Sequence, residues 1–202
     1  MSFDLTLFTS TFVTLIVILD PPGAIPIFLA LTGPLTAKQK VAAARRASLV
    51  ALGVIASFAV FGQRILDYLH ISLPALQGAG GLLLLIVALQ LLTGSESEQL
   101  ADAGVNVALV PLGTPLLAGP GAIVATMLAV QGAEGAGGYL AVGLALVTAL
   151  LVVYLTFRFA SPLARLLKDS GIVLLTRIAG LLLSAIAVQL VADSVRGFLA
   201  EG

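Results

Sequence analysis

The 202-residue sequence has no cysteine, no tryptophan and a single histidine, His70. Without cysteine there are no disulfides, no thiolate nucleophile and no Cys-ligated metal. One histidine removes His-rich metal sites as well, so no metal site and no cofactor are expected. Charged residues make up only 10% of the chain, against about a quarter in soluble domains. Aromatics are scarce at 6%, too few for the pocket that a bulky drug would want. No nucleotide-binding motif occurs, which argues against ATP-driven transport by this chain alone. No Ser–His, paired-Asp or His-metal set falls within the apolar segments, so an enzyme is not expected, nor is a nucleic-acid partner. No Lys or Arg precedes the first apolar run, so residues 5–31 are expected to be a membrane segment rather than a cleaved signal peptide.

What remains is 59% hydrophobic, and the lipid bilayer is the expected environment. Apolar stretches long enough to cross hydrocarbon, about 20 residues each, run over approximately 5–31, 47–69, 71–93, 106–131, 138–160 and 175–197. Eight of the ten basic residues fall in two places, the 33–46 loop and the 158–177 region. With six spans both lie on one face, and the positive-inside rule assigns that face to the cytoplasm. Both termini then face outward, while the Gly94–Val105 loop faces inward.

The two longest stretches share a motif. Asp20-Pro21-Pro22-Gly23-Ala24-Ile25 and Ala118-Gly119-Pro120-Gly121-Ala122-Ile123 repeat Pro-Gly-Ala-Ile at an offset of 98 residues. Gly81, Ala88 and Gln90 recur as Gly180, Ala187 and Gln189 at an offset of 99, and Arg64-Ile65-Leu66 resembles Arg165-Leu166-Leu167 at 101. Spans 1, 2 and 3 thus pair with 4, 5 and 6. Three spans per half is odd, so the halves are inverted, a known transporter plan. The expected fold is an all-α membrane protein. Its six transmembrane helices form a 3+3 inverted-topology repeat, with helices 1 and 4 broken near the midplane. Residues 1–202 make one transmembrane domain, with repeat one at about 3–93 and repeat two at about 105–198.

Pro and Gly inside a span break backbone where unsatisfied polar groups are hardest to tolerate. Two half-helices joined by unwound backbone, or a single Pro-kinked helix, both fit the pattern. If Gly23–Leu31 and Gly119–Val130 are half-helices, their N-termini carry partial positive charge and free N–H groups. Converging, they would hold a carboxylate, and the missing Cβ of Gly23, Gly119 and Gly121 lets a ligand approach the backbone. Asp20 is the only ionisable group deep in a span, and such residues are functional by default. It is a helix N-cap, a contact for the ammonium of a zwitterion, or the carrier of a coupling H+ or Na+. Thr114 either donates to substrate or back-bonds to its own helix. Gln90 and Gln189 are expected to bond between helices or line a pathway. Asp193 and Arg196 read as a surface pair, His70 as a solvated turn residue, and Gly78-Ala79-Gly80-Gly81 as a close-packing patch.

Leu19 to Thr32 resembles the first signature of the MarC family, and Pro111 to Ile123 resembles its second. The likeness runs over essentially the whole chain. It implies a bacterial or archaeal inner-membrane protein, some of whose relatives are regarded as transporters of small neutral amino acids such as alanine, glycine and serine. By position it places Asp20, Pro22, Gly23, Pro26, Pro115, Gly119, Pro120 and Gly121 at the functional centre. Two prolines stand at 21 and 22 where the family pattern leads one to expect one. The expected function is therefore H+- or Na+-coupled secondary transport of a small zwitterionic solute by alternating access. The alternatives are export of drugs or metabolites, or a non-transporting membrane-stress protein. Substrate-binding candidates are Asp20, Pro22, Gly23, Thr114, Gly119, Pro120 and Gly121. Homo-oligomerisation stays open.

Overall fold

A computed structural model describes residues 3–94 and 117–201. Those residues form helices α1 (Leu5–Leu19), α2 (Ala24–Leu31), α3 (Ala37–Leu69), α4 (Leu73–Thr93), α5 (Pro120–Gln131), α6 (Gly135–Arg158) and α7 (Ala160–Glu201), with no strand among them. Four helices, α3, α4, α6 and α7, are long and apolar enough to cross a membrane. The first expected span is divided between α1 and α2. Of the fourth, only the α5 portion and the residues just before it are described, and its earlier part lies outside the described residues.

Local chemistry sets the ends. Asp4 caps α1, its Oδ1 accepting from the Leu7 N–H at 2.8 Å. Thr36 and Gln39 form a reciprocal capping box that starts α3, satisfying two donors that the first turn leaves free. α3 therefore begins ten residues earlier than its apolar stretch. The basic segment expected as a loop over 33–46 is mostly helix, because its Ala, Lys, Gln and Arg are good helix formers. α3 stops at His70, exposed and left-handed (φ 56°), and Ser72 caps α4 through the Ala75 N–H. The 158–177 region is also helical. Hydrogen bonds from Phe159 N–H to Leu155 O and from Leu163 N–H to Phe159 O carry the helix across Phe159. The real break falls inside α7 at Lys168 (φ 55°, ψ 170°).

Small residues let the helices close on one another. Ala44, Ala47, Ala51 and Ile55 form a buried stripe on α3, within one core cluster that also holds Ala149, Leu150 and Val153 of α6. α4 and the later part of α7 pack antiparallel along a glycine seam. A Cβ on Gly81 would lie 2.8 Å from Ala187 O, and one on Gly180 would lie 3.2 Å from Ala88 O. At one end Ser194 Oγ donates to Pro74 O at 2.7 Å in a buried bond. The Gly78–Gly81 stretch is thus the packing patch its sequence suggests: Gly78 faces Ser194, Gly80 faces Val124 of α5 and Gly81 faces α7. Close backbone approach of this kind is how membrane helices gain dispersion energy without a hydrophobic drive.

Valine at Gly81 or Gly180 is expected to destabilise the fold by about 1–3 kcal/mol through overpacking. Valine at Gly143, where nothing lies within 4 Å, should cost much less. Thermal melting of the purified protein in detergent, variant against variant, checks the contrast.

Candidate functional site

The chain leaves helix at Asp20 and resumes at Ala24. The Asp20 N–H closes the end of α1 on Ile16 O at 3.1 Å, and its own residue is left-handed at φ 35°. The Ala24 N–H then donates to Asp20 O at 3.0 Å, and the Ile25 N–H to Pro22 O at 3.2 Å, starting α2. Asp20 is the C-cap of α1, and its carbonyl accepts the first bond of α2. At 15 residues α1 is about 22 Å long, shorter than a bilayer core of about 30 Å.

The Asp20 side chain folds back over the elbow. The position a Cβ on Gly23 would take is filled by the Asp20 carboxylate, with Thr176 Oγ1 of α7 beside it. The Gly23 amide and the Thr176 hydroxyl both act on that carboxylate, yet Oδ2 meets hydrogen-bond geometry with neither. Asp20 Oδ2 and Thr176 Oγ1 are both buried and unpartnered. Asp20 is 6% exposed. Most buried polar groups find a partner, so each exception needs a reason.

The second elbow has Gly119 as the N-cap of α5 and Pro120 in its first turn. The bonds that begin the helix run from the Ala122 and Ile123 N–H groups to Gly119 O. The space beside Gly121 is filled by the Leu84 side chain, with Ile18 Cγ2 at 3.5 Å from a Cβ built there. Leu19, Ala24, Ile25, Ala118 and Ala122 belong to one buried cluster, and the end of α1 touches the second elbow through Ile18. Both glycines thus make room here for protein groups rather than open space. Phe28 of α2 stacks on Phe157 of α6, centroids 4.5 Å apart and rings 7° from parallel, fixing the short helix in the core.

Two cavities lie in the half of the molecule where α1 begins and α5 ends. One, of about 400 Å³, is bordered by Phe58, Gln63, Met127, Gln131 and Tyr139. The other, of about 150 Å³, lies between α1 and α5, with Ser10, Thr11 and Thr14 facing Ala125 and Ala129. Other expectations fare differently. Thr114 and Pro115 lie outside the described residues. Gln189 bonds within its own helix, Nε2 to Asp193 Oδ1 at 2.9 Å, rather than across to a neighbour, because its side chain faces outward. Gln90 makes no side-chain hydrogen bond to a described residue. Asp193 and Arg196 do pair, at 3.5 Å on the surface. Thr176 was not a candidate. It sits in a leucine-rich stretch with no motif, and only tertiary packing brings it to Asp20.

Four apolar helices of spanning length, and a carboxylate buried at a break between two more, define a polytopic α-helical membrane protein. Its sequence matches the MarC family integral membrane proteins over residues 5–199. Among its relatives is the UPF0056 membrane protein MJ1677 of Methanocaldococcus jannaschii, 38% identical, with 97% of this chain and 99% of that one aligned. YvbG of Bacillus subtilis is 30% identical over 92% of each chain. YhcE of Escherichia coli is 30% identical over 96% of this chain and 94% of its own. No solved structure matches. The chain belongs to the MarC family.

The contact at the second elbow gives a test. Gly121→Ala should be destabilising by about 1–3 kcal/mol, as for other overpacked sites, and Leu84→Ala in the same chain should recover much of that loss. A double-mutant cycle on melting temperature measures the coupling.

Proposed function

We propose that this protein is a secondary transporter of small neutral amino acids in the cell inner membrane, driven by H+ or Na+. The observation that carries the reading is the buried Asp20 carboxylate, whose Oδ2 has no hydrogen-bond partner, at a break in the backbone flanked by residues that share one cluster with the start of α5. A lone acid inside a span is costly and is retained for a task. Broken helices with ends inside the membrane are how many secondary transporters hold substrate and coupling ion. A zwitterion suits the arrangement: its carboxylate meets the N-termini of α2 and α5, while Asp20 serves the coupling ion. Gly23, Pro22, Gly119, Pro120 and Gly121 shape those ends.

The inverted 3+3 plan draws support from the packing. Exchanging the halves maps each contact of Gly81 with Ala187 onto that of Gly180 with Ala88 at the offset of 99, and both are present. Leu84 and Leu183, and Ala88 and Ala187, are equally buried in the same cluster. The left-handed residues His70 and Lys168, 98 apart, fall at corresponding breaks. α1 packs on α6 as α3 packs on α5, and α4 packs on α5 as α1 and α2 pack on α7. In this plan α2 and α5 run from adjoining elbows toward opposite faces, with the basic start of α3 in the cytoplasm and both termini outside. The two cavities then open outward, and the side chains over Gly23 and Gly121 close the site between them. Alternating access rocks one half against the other to uncover it.

Counterflow in proteoliposomes, loaded with alanine and offered labelled alanine, glycine or serine, tests the function. Saturable exchange is expected, falling at least tenfold in Asp20→Asn, which keeps the shape and removes the charge. No exchange with any neutral amino acid, or full exchange in Asp20→Asn, would refute the reading.

A further inference from the structure

The consecutive prolines at the first elbow do more than break a helix. In an α-helix each carbonyl accepts from the N–H four residues on. For Val17 and Ile18 those positions are Pro21 and Pro22, which have no N–H to give. Ile18 O lacks the tighter alternative as well, since the residue three on is Pro21. The end of α1 therefore keeps carbonyl oxygens without their helical donors, two and three residues before Asp20. That end is also the negative pole of the helix dipole. When ionised, the Asp20 carboxylate adds a negative charge there, where a favourable arrangement would put a cation. Thr176 Oγ1 adds a further buried and unpartnered oxygen. Arg177, the next residue of α7, is exposed and makes no ion pair with Asp20; among the described residues the one pair recorded is Asp193 with Arg196.

We propose that Asp20, Thr176 and the carbonyls freed at the end of α1 by Pro21 and Pro22 bind a monovalent cation, Na+, at the first elbow. One positive charge balances one carboxylate; a divalent ion would leave a net charge in a low-dielectric site. A proton on Oδ2 would neutralise the acid and could be shared with Thr176 Oγ1, but would leave the carbonyls unmatched, whereas a cation satisfies several oxygens at once. Unwound carbonyls at half-helix ends serve this role in other transporters. The Asp20 carboxylate takes the place of a Cβ on Gly23 and Thr176 Oγ1 lies 2.7 Å from that place, so the two oxygens stand close enough to share one small ion. The ion's role in coupling rests on the transport reading above, but its binding is measurable without any solute.

Melting temperature of the purified protein, titrated with NaCl against KCl and choline chloride at constant ionic strength, is the test. A saturable rise specific to Na+ is expected, since an ion that binds only the folded state stabilises it. The response should vanish in Asp20→Asn. The apparent Kd should weaken at least tenfold in Thr176→Val and recover in Thr176→Ser. Pro22→Ala, which returns a donor to Ile18 O, should weaken it similarly and serves if Asp20→Asn does not fold. Equal melting in Na+, K+ and choline, or a sodium response unchanged in Thr176→Val and Pro22→Ala, overturns the site. Amino-acid exchange that persists in sodium-free buffer, with no sodium-dependent shift, overturns the ion site and leaves transport standing. A sodium shift that follows the variants, without exchange of any solute, supports the ion site and refutes transport.

Discussion

Hydrocarbon offers nothing to bond a peptide group, and the break at residues 20–23 has to live with that constraint. The chain meets it by burying the elbow in protein. α2 is locked by the Phe28–Phe157 stack, and α1, α5, α6 and α7 contribute to the surrounding cluster. Part of the elbow's polarity is bonded locally, through Asp20 O and Pro22 O. The remainder, a carboxylate oxygen and a threonine hydroxyl, is left unmatched. A stable interior does not keep such groups without use, and the functional reading follows from that imbalance.

The glycine seam between α4 and α7 supplies the rigidity against which the elbows are held. It repeats its own contacts in reverse, Gly81 against Ala187 and Gly180 against Ala88. Gly80 turns from that seam to Val124 of α5, and Leu84, buried in the seam's cluster, reaches over Gly121. Packing at the seam is therefore tied to the second elbow through a single helix face. Separating Leu84 from Gly121 would require α5 to move relative to α4.

Much of this was legible in the sequence. The extents of α4 and of the apolar part of α3, the break at Asp20, the packing role of Gly78 to Gly81 and the Asp193–Arg196 pair follow from composition, spacing and turn chemistry. Other features were not. The basic stretch at 37–46 looked like loop because its charge dominates its pattern, although its residues favour helix and the Thr36–Gln39 cap was readable. Gln189 was expected to bond across helices, but its face of α7 turns outward, and that depends on the rotation of the helix in the packed protein. Thr176 beside Asp20 and Leu84 over Gly121 are tertiary juxtapositions across 156 and 37 residues of sequence, beyond any local signal. The glycines at the elbows were read as leaving space for ligand; in the structure that space belongs to neighbouring side chains.

A structure of the protein in lipid nanodiscs with sodium and alanine present tests the central claim most directly. The account predicts interrupted helices at 20–23 and before Pro120 whose N-terminal ends face each other. It also predicts density for a small ion bounded by Asp20, Thr176 and the end of α1, with solute density beside it. A helix continuous through Asp20, or an elbow turned to lipid with no bound density, would contradict it.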